Sequence, residues 1–190
     1  MKRIYLIRHC QAAGQEPEAP LTTEGVRQAK ELRDFLAHRG IERIVASPYL
    51  RAVSTIRPLA ELLQISVHTD ARLQERVLCS YDMIDWLDKL KETYADIDLK
   101  YEGGESSREA MNRGLEVIDE ALESTKHNIA IVTHGNLMSL LLNHFTNDFG
   151  FEEWERLTNP DVYELHIFEE NDNITVDSHK LFHTIKPYIR

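Results

Sequence analysis

The chain has 190 residues, of which 42% are hydrophobic, and this fraction is enough to bury the core of one domain, expected over residues 1–190. Its 22 Lys and Arg against 32 Asp and Glu give a formal net charge of −10, which disfavours a nucleic-acid or anionic-membrane partner. No apolar run approaches the ~20 residues that cross a bilayer, and two cysteines are too few for a disulfide framework, so we expect a cytoplasmic protein.

Four apolar runs predict the strands of a buried sheet. Each run is short and nearly continuous, as expected for a strand that is covered on both faces. The runs are Ile4–Ile7, Ile44–Ala46, the weaker Ser66–His68, and Ile129–Thr133. A hairpin is predicted near the end of the chain, with strands Val162–Phe168 and Ile174–Val176 and a turn at Asn171-Asp172-Asn173.

Helical spacing of apolar residues marks four further stretches. They run from Thr22 to Gly40, from Ser47-Pro48 onward, from Ser106 to Thr125, and from Gly135 to Phe145. In the first stretch, Thr22 or Thr23 is a candidate N-cap and Gly40 a candidate C′ residue. In the second, Pro48 is expected near the first helical position.

The alternation of strands and helices predicts an α/β fold. We expect a three-layer sandwich with a mostly parallel sheet, helices on both faces and an antiparallel edge from the hairpin. An acidic helix from Asp82 to Tyr94 and a Gly103-Gly104 turn interrupt the alternation. The segment from about residue 76 to residue 104 is therefore predicted to form a small, cap-like helical insertion over the carboxyl edge of the sheet. The apolar run from Leu181 to Ile189 is expected to cover the core of its own chain, and a monomer and a homodimer both remain open.

Chemically useful side chains follow each predicted parallel strand, where ligands of open α/β sheets bind. They are Arg8 and His9, then Ser47, Pro48 and Arg51, then Arg72, Glu75 and Arg76, and finally His134 and Gly135. Taken singly, each is an ordinary polar residue at a strand end or on a helix surface. Their coincidence at the ends of all four strands favours a functional site.

This set of residue types suits the handling of a phosphoryl group. The arginine guanidinium matches phosphate oxygens and stays charged at any working pH. A histidine nitrogen can attack phosphorus, a second histidine can stabilise the transferring group, and a glutamate can protonate the leaving oxygen. Because protein side chains supply the positive charge, we expect neither a metal nor another cofactor. The expected partner is a small phosphorylated metabolite.

Ordered motifs across the chain resemble those of the histidine phosphatase superfamily, the phosphoglycerate-mutase-like family. The matching stretches are Leu6–Ala12, Leu21–Ala29, Ala46–Thr55, Arg72–Glu75, Gly103–Ser106 and Val132–Gly135, followed by Asn159. Each motif is weak alone, but the ordered set is specific and covers nearly the whole chain.

The resemblance implies a role for each matching residue. His9 is the implied nucleophile, which becomes phosphorylated. Glu75 is the implied acid for the leaving group and then the base for water. The implied phosphate pocket and its neighbouring polar contacts comprise Arg8, Arg51, His134, Gly135, Gln11, Gln15 and Thr22.

The sequence departs from the family pattern at two places. Cys10 occupies a position that is usually glycine, and we expect activity to survive because every charged member is present. Cys10 is interpreted as a small buried residue, with a redox-sensitive thiol as the alternative. After Glu75, the usual glycines and Trp-Glu-Gly-like stretch are replaced by Arg76–Tyr81.

Three functions are compatible with these residues. The favoured one is a metal-independent phosphomonoesterase, because the segment between Glu75 and Gly103 is net acidic and suits a bisphosphate poorly. The alternatives are phosphoryl transfer of the cofactor-dependent phosphoglycerate mutase type and, less favoured, a non-catalytic phosphate-binding protein. Apolar residues of the insertion offer either a wall for an organic phosphomonoester or packing onto the sheet: Tyr81, Met83, Ile84, Trp86 and Leu87.

Overall fold

A six-stranded mixed sheet forms the centre of the protein. The computed structural model describes residues 2–124, 128–170 and 173–183. The strands are β1 (Lys2–Arg8), β2 (Ile41–Ala46), β3 (Val67–Thr69), β4 (Asn128–Thr133), β5 (Asp161–Glu170) and β6 (Asn173–His183). Their order is β3-β2-β4-β1-β5-β6. Strands β1 to β4 pair in parallel, whereas β5 is antiparallel to β1 and β6 to β5. The predicted parallel sheet with an antiparallel edge is confirmed.

Helices cover both faces of this sheet. They are α1 (Thr23–Leu36), α2 (Leu50–Leu63), α3 (Trp86–Ala95), α4 (Ser107–Ser124), α5 (Gly135–Thr146) and α6 (Phe151–Glu155), with a short 3₁₀ turn at Ala71–Leu73. Successive residues of a strand point to opposite faces, so a strand that is buried on both sides serves two cores. In β1, Ile4 and Leu6 pack with α4 and α5, while Tyr5 and Ile7 pack with α1 and α2. The result is the predicted α/β sandwich of three layers.

The first helix confirms one predicted cap and corrects the other. Thr22 is the N-cap of α1, and its hydroxyl accepts the Gly25 N–H at 3.0 Å. Gly40 is not the C′ residue, because α1 already ends at Leu36 with Ala37 as its C-cap. Gly40 instead adopts a φ of +63° directly before β2, where the chain must turn into the sheet.

The prediction for Pro48 is wrong. Helix α2 begins at Leu50 with Tyr49 as its N-cap, so Pro48 lies outside the helix. The Ser47 hydroxyl accepts the Tyr49 N–H at 3.3 Å and also bonds to His134, which fixes the bend at residues 48–49 before the helix starts. The turn thereby delivers Arg51 to the first turn of α2.

The segment between the third strand and α4 also differs from its prediction. Helix α3 begins at Trp86 rather than at Asp82. Before it, two backbone bonds join the chain to residues 102–105: Glu105 N–H to Val77 O at 2.8 Å and Ser80 N–H to Glu102 O at 3.0 Å. The predicted turn at Gly103-Gly104 lies within this pairing. These bonds hold residues 77–80 outside a helix, and α3 starts only after a turn at residues 84–85.

Helix α6 was not predicted, since five residues carry too little periodicity to reveal a helix. The terminal hairpin is confirmed, with both strands longer than expected.

Three expectations reach residues outside those described: the helix end at Thr125, the turn at Asn171-Asp172 and the apolar run beyond His183. Within the described part of the chain, no helix combines the length and apolar character that crossing a bilayer requires.

The close packing of α4 against α5 leads to a stability prediction. A Cβ on Gly114 would lie 3.0 Å from Leu141 Cδ2 and 3.3 Å from Leu137 Cδ1. We expect Gly114→Val to lower the free energy of unfolding by about 1–3 kcal/mol, because the added side chain overpacks this interface. Urea denaturation measures the change. Asn112→Val, at an exposed position of the same helix, controls for the helix propensity of valine; equal losses in both variants would contradict the packing argument.

Candidate active site

Four side chains meet at the carboxyl edge of the sheet. Arg8 and His9 come from the end of β1, Arg51 from the first turn of α2, and His134 from the N-cap of α5. The rings of His9 and His134 lie with centroids 5.1 Å apart at an angle of 64°. Arg51 Nε lies 3.3 Å from His9 Nε2 and donates to it. The structure therefore brings together residues that are up to 126 positions apart in the sequence.

Backbone contacts determine the tautomer of His9. Its Nδ1 lies 2.7 Å from the carbonyl oxygen of Cys10, and only a protonated Nδ1 can donate to that acceptor. The proton of the neutral ring is thus on Nδ1, and the lone pair of Nε2 faces the arginines. Burial, reinforced by Arg51 and Arg8, lowers the pKa of His9 to about 3. At neutral pH His9 is an uncharged ring whose Nε2 lone pair accepts the Arg51 Nε–H. The carbonyl of His9 accepts the Asn159 Nδ2–H at 2.7 Å.

Arg51 is buried, with only 1% of its surface exposed. Its Nη1 donates to the carbonyl oxygens of Gln15 at 3.0 Å and Glu16 at 2.8 Å, and its Cζ lies 4.8 Å above the ring of Tyr49. Burial lowers the pKa of the guanidinium, but the group remains far from neutral at physiological pH. These contacts hold a full positive charge beside His9.

Arg8 supplies the second positive charge. Its Nη1 donates to the carbonyl oxygens of Leu157 at 3.1 Å and Thr158 at 3.4 Å. A Cβ on Gly135 would lie 3.0 Å from Arg8 Cζ, so the guanidinium lies flat against the start of α5. Because Gly135 has no side chain, the Arg8 guanidinium can lie against the backbone at this position.

His134 is held by Ser47. The buried Nε2 of His134 lies 2.8 Å from Ser47 Oγ, and the same hydroxyl accepts the Tyr49 N–H at 3.3 Å. When the Ser47 hydroxyl donates to Nε2, the proton of the neutral ring is on Nδ1. Burial, with His9 and the two arginines nearby, holds the pKa of His134 well below its usual range.

Two buried nitrogen atoms of this group have no hydrogen-bond partner among the described residues. They are Nδ1 of His134 and Nε of Arg8. Buried polar groups are nearly always paired, and an unpaired donor beside a cavity points to a ligand acceptor. The two nitrogen atoms, together with the positive charges of Arg8 and Arg51, fit the oxygens of an anion.

Glu75 lies at the N-terminus of α5. Its Oε2 accepts the Asn136 N–H at 3.0 Å, and its Oε1 accepts the Leu137 N–H at 3.0 Å and the Arg76 N–H at 2.9 Å. A carboxylate is favoured at this end of a helix. The carboxyl group is thus fixed at the same edge as the histidines.

A cavity of about 480 Å³ adjoins these groups. It is lined by Arg8, Gln15, Glu75, Arg76, Leu78, Trp86, Leu90, Gly135, Asn136 and Trp154. The lining includes Gln15 but neither Gln11 nor Thr22. Those two side chains bond to each other at 2.9 Å, with Gln11 exposed and Thr22 capping α1. In the structure, Gln11 and Thr22 therefore stabilise the loop between β1 and α1 instead of lining the cavity.

Several lining residues were not recognised from the sequence. Asn136 and Trp154 belong to ordinary helical stretches, although Trp154 is one of only two tryptophans in the chain. Arg76 was among the candidates predicted at the strand ends, and only 6% of it is exposed. Its guanidinium donates to the Glu105 carbonyl, Thr93 Oγ1 and Ser107 Oγ at 2.8–3.3 Å. Arg76 thus ties the segment before α4 to the site.

Cys10 is part of the core between the sheet and helices α1 and α2. It is fully buried, its N–H donates to Thr55 Oγ1 at 2.8 Å, and burial raises the pKa of its thiol to about 12. Its φ is not among the positive values of the described residues. The interpretation as a small buried residue is confirmed, and the geometry disfavours a reactive thiol.

Comparison with known proteins agrees with this geometry. The family described as "Histidine phosphatase superfamily (branch 1)" matches residues 4–177. The chain is 28% identical, over 97% of its length and 98% of the relative, to "Putative phosphoserine phosphatase 2" of Hydrogenobacter thermophilus. It is 28% identical, over 75% of its length and 74% of the relative, to "Probable phosphoglycerate mutase GpmB" of Proteus mirabilis.

A solved structure has the same fold. It is a mycobacterial glucosyl-3-phosphoglycerate phosphatase in complex with VO3, and it matches with a TM-score of 0.81 at 20% identity. The match covers 97% of this chain and all of the other.

The contact between Gly135 and Arg8 yields a binding prediction. We expect Gly135→Ala to displace the Arg8 guanidinium and to weaken inorganic phosphate binding by about tenfold or more, since a hydrogen bond to a charged group is worth about 1.5–3 kcal/mol. Isothermal titration calorimetry measures the dissociation constant. His144→Ala, exposed on the same helix, is the control, and an unchanged constant in Gly135→Ala would contradict the steric argument.

The buried neutral state of His9 predicts a pH effect on stability. Its folded pKa lies below the unfolded value, so between about pH 6.5 and pH 3 the unfolded chain binds more protons and stability falls as the pH falls. We expect the wild type to lose about 1 kcal/mol per pH unit more than His9→Gln in this range. Urea unfolding at pH 7, 6, 5 and 4 measures the difference. Parallel stability curves for the two proteins would show that His9 is not buried as a neutral ring.

Proposed function

The chain belongs to the histidine phosphatase superfamily and is a phosphoglycerate-mutase-like hydrolase; we propose that it hydrolyses small organic phosphomonoesters through a phosphohistidine at His9. The observation that carries this proposal is the neutral His9 ring beside the buried guanidinium of Arg51 and the half-buried guanidinium of Arg8. A neutral imidazole is a nucleophile, whereas a protonated one is not. The positive charges of Arg8 and Arg51 attract the phosphoryl group and, at the same time, disfavour protonation of His9.

The first step is the binding of the phosphoryl group. Arg8 and Arg51 donate to its oxygens, and the unpaired Nδ1–H of His134 donates to another. Arg51 Nε, which contacts His9 Nε2 at 3.3 Å in the free protein, turns its hydrogen bond to the substrate and leaves the lone pair available. These cations perform the charge neutralisation that metal ions provide in other phosphoryl-transfer enzymes, and so we propose metal-independent catalysis.

The second step is the transfer of the phosphoryl group to His9. The lone pair of Nε2 forms a bond to phosphorus while the bond from phosphorus to the ester oxygen breaks. The Nδ1–H bond to the Cys10 carbonyl stabilises the positive charge that develops on the ring. Charge on the equatorial oxygens is stabilised by Arg8, Arg51 and His134.

Glu75 completes the cycle. In its protonated form it gives a proton to the departing ester oxygen, which leaves as an alcohol. The resulting carboxylate takes a proton from water as the water oxygen attacks phosphorus, and the bond to His9 Nε2 breaks. Inorganic phosphate leaves, and His9 and the protonated Glu75 are restored. The three backbone N–H groups that hold Glu75 keep it in place for both transfers.

Hydrolysis is favoured over phosphoryl transfer between two phosphorylated substrates. Residues 76–104 carry seven acidic side chains against four basic ones, which repels a second phosphate. Two of the basic side chains are paired with carboxylates: Lys89 with Glu92 at 3.0 Å and Lys100 with Glu109 at 2.9 Å. We propose that this segment is a cap over the cavity. The relative named as a phosphatase supports the choice, and the relative named as a mutase keeps the alternative open to test.

A phosphate-release assay tests the nucleophile. In EDTA, we expect the wild type to release phosphate from p-nitrophenyl phosphate, and His9→Ala to lose more than about 10³-fold in kcat/KM. His68→Ala, exposed on β3, is the matched control and should retain the wild-type rate. Release that requires an added metal, or that persists in His9→Ala, would contradict the mechanism. Phosphoryl exchange between phosphoglycerates without net hydrolysis would favour the mutase.

The role of Glu75 predicts a dependence on the leaving group. Benzyl phosphate releases a poor leaving group that needs a proton, whereas p-nitrophenolate leaves without one. We expect Glu75→Gln to lower kcat for benzyl phosphate by about 10²-fold or more, and for p-nitrophenyl phosphate by less than about tenfold under single-turnover conditions. Rapid-quench kinetics measures both rates. Equal losses for the two substrates would assign Glu75 a structural role instead of acid catalysis.

A further inference from the structure

Both tryptophans of the chain line the active-site cavity. Trp86 begins α3, and Trp154 lies in α6. Their ring centroids are 6.5 Å apart, and the rings are nearly perpendicular at 85°. Two elements that are 68 positions apart in the sequence thus place large aromatic rings at one cavity.

The cavity has a polar side and an apolar side. The sheet edge and the start of α5 contribute Arg8, Glu75 and Asn136, where the phosphoryl group is handled. The remaining apolar lining comes from the 76–104 segment and from α6: Leu78, Trp86, Leu90 and Trp154. A substrate with its phosphoryl group at Arg8 therefore extends its leaving group toward these four side chains.

The two tryptophans differ in their support. Trp154 lies against Phe151, with centroids 5.4 Å apart, and Phe151 contacts Tyr94 at 5.8 Å. The Tyr94 hydroxyl accepts the Asn136 Nδ2–H at 2.9 Å, so the contacts from Trp154 through Phe151 to Tyr94 are anchored to α5. Trp86 is 50% exposed. A leaving group that packs on its ring removes apolar surface from water, which favours binding.

The cationic side chains of this region are engaged elsewhere. Arg76 donates to the Glu105 carbonyl, Thr93 and Ser107, and Lys91 lies 5.6 Å above the ring of Phe151. Lys89 is paired with Glu92. The leaving-group side thus presents aromatic surface where a second anionic group would need a cation.

We propose that Trp86 and Trp154 select phosphomonoesters whose leaving group carries a flat, apolar body of aromatic size. The body packs against the two rings while the phosphoryl group binds at Arg8, Arg51 and His134. The cavity of about 480 Å³ holds both parts of such a substrate. The inference rests on the proposed function for the phosphoryl end and adds the class of alcohol released.

Two non-hydrolysable ligands that differ only in the body test this proposal. Methylphosphonate and benzylphosphonate share a headgroup, and the second adds a phenyl ring. We expect benzylphosphonate to bind about tenfold more tightly or better, by calorimetry. Because the protein has no other tryptophan, its fluorescence reports the cavity directly. We expect benzylphosphonate to shift the emission to shorter wavelength more than methylphosphonate does.

Variants assign the selectivity to the rings. Trp86→Ala and Trp154→Ala should each reduce the ratio of the two dissociation constants by about threefold or more, while methylphosphonate binds as to the wild type. Trp154→Phe keeps an aromatic ring and should retain most of the ratio of the two dissociation constants. It shows whether a loss in Trp154→Ala comes from the missing ring or from misfolding. Ile84→Ala is the matched control, because Ile84 is fully exposed in the same segment and does not line the cavity.

The outcomes separate this inference from the proposed function. Equal affinities for the two phosphonates, no binding of either, or a ratio unchanged in both alanine variants would overturn the role of the tryptophans. His9-dependent hydrolysis of benzyl phosphate with equal phosphonate affinities would leave the phosphatase and remove the selectivity. Selective phosphonate binding without any phosphate release would keep the aromatic site and contradict the proposed reaction.

Discussion

The site depends on positive charge that is held beside the histidines without a compensating ion pair. Among the described residues, Arg8 and Arg51 donate to backbone carbonyl oxygens, and neither forms a salt bridge. Partial charges on carbonyls keep a guanidinium in place but do not neutralise it, so the pocket retains an attraction for an anion. Burial and the same charges keep His9 and His134 neutral. One constraint thus produces both the binding site and the nucleophile.

The central sheet makes this arrangement possible. Strands β1 and β4 pair in parallel with Arg8 opposite Thr133, so the residues that follow each strand emerge side by side. The His9 N–H donates to the Thr133 carbonyl at 3.1 Å, and His134 follows directly. Rigid strands with two buried faces hold the histidines more firmly than loops would. The apolar side of the cavity is built instead from α3, α6 and a segment outside the central sheet.

Sequence reasoning predicted the parts that follow from periodicity and from ends of elements. The apolar runs of β1 and β4 revealed the strands, and their common edge revealed His9 and His134 as neighbours. It could not predict the start of α2, since the Ser47 hydroxyl is shared between Tyr49 and His134 only in the folded chain. It also missed Trp154, because a helix of five residues shows no face in the sequence. The start of α2 and the position of Trp154 at the cavity both depend on contacts between segments that are distant in the sequence.

The account is tested most directly by trapping the phosphoryl group on the protein. Wild-type enzyme is mixed with a phosphomonoester, quenched in base within the first turnover, digested and analysed by mass spectrometry, since phosphohistidine survives base. The account predicts a phosphoryl group on the peptide that contains His9, in an amount that decays at the rate of phosphate release, and none in His9→Ala. Phosphate release without a phosphorylated His9 at any time within the turnover would contradict it.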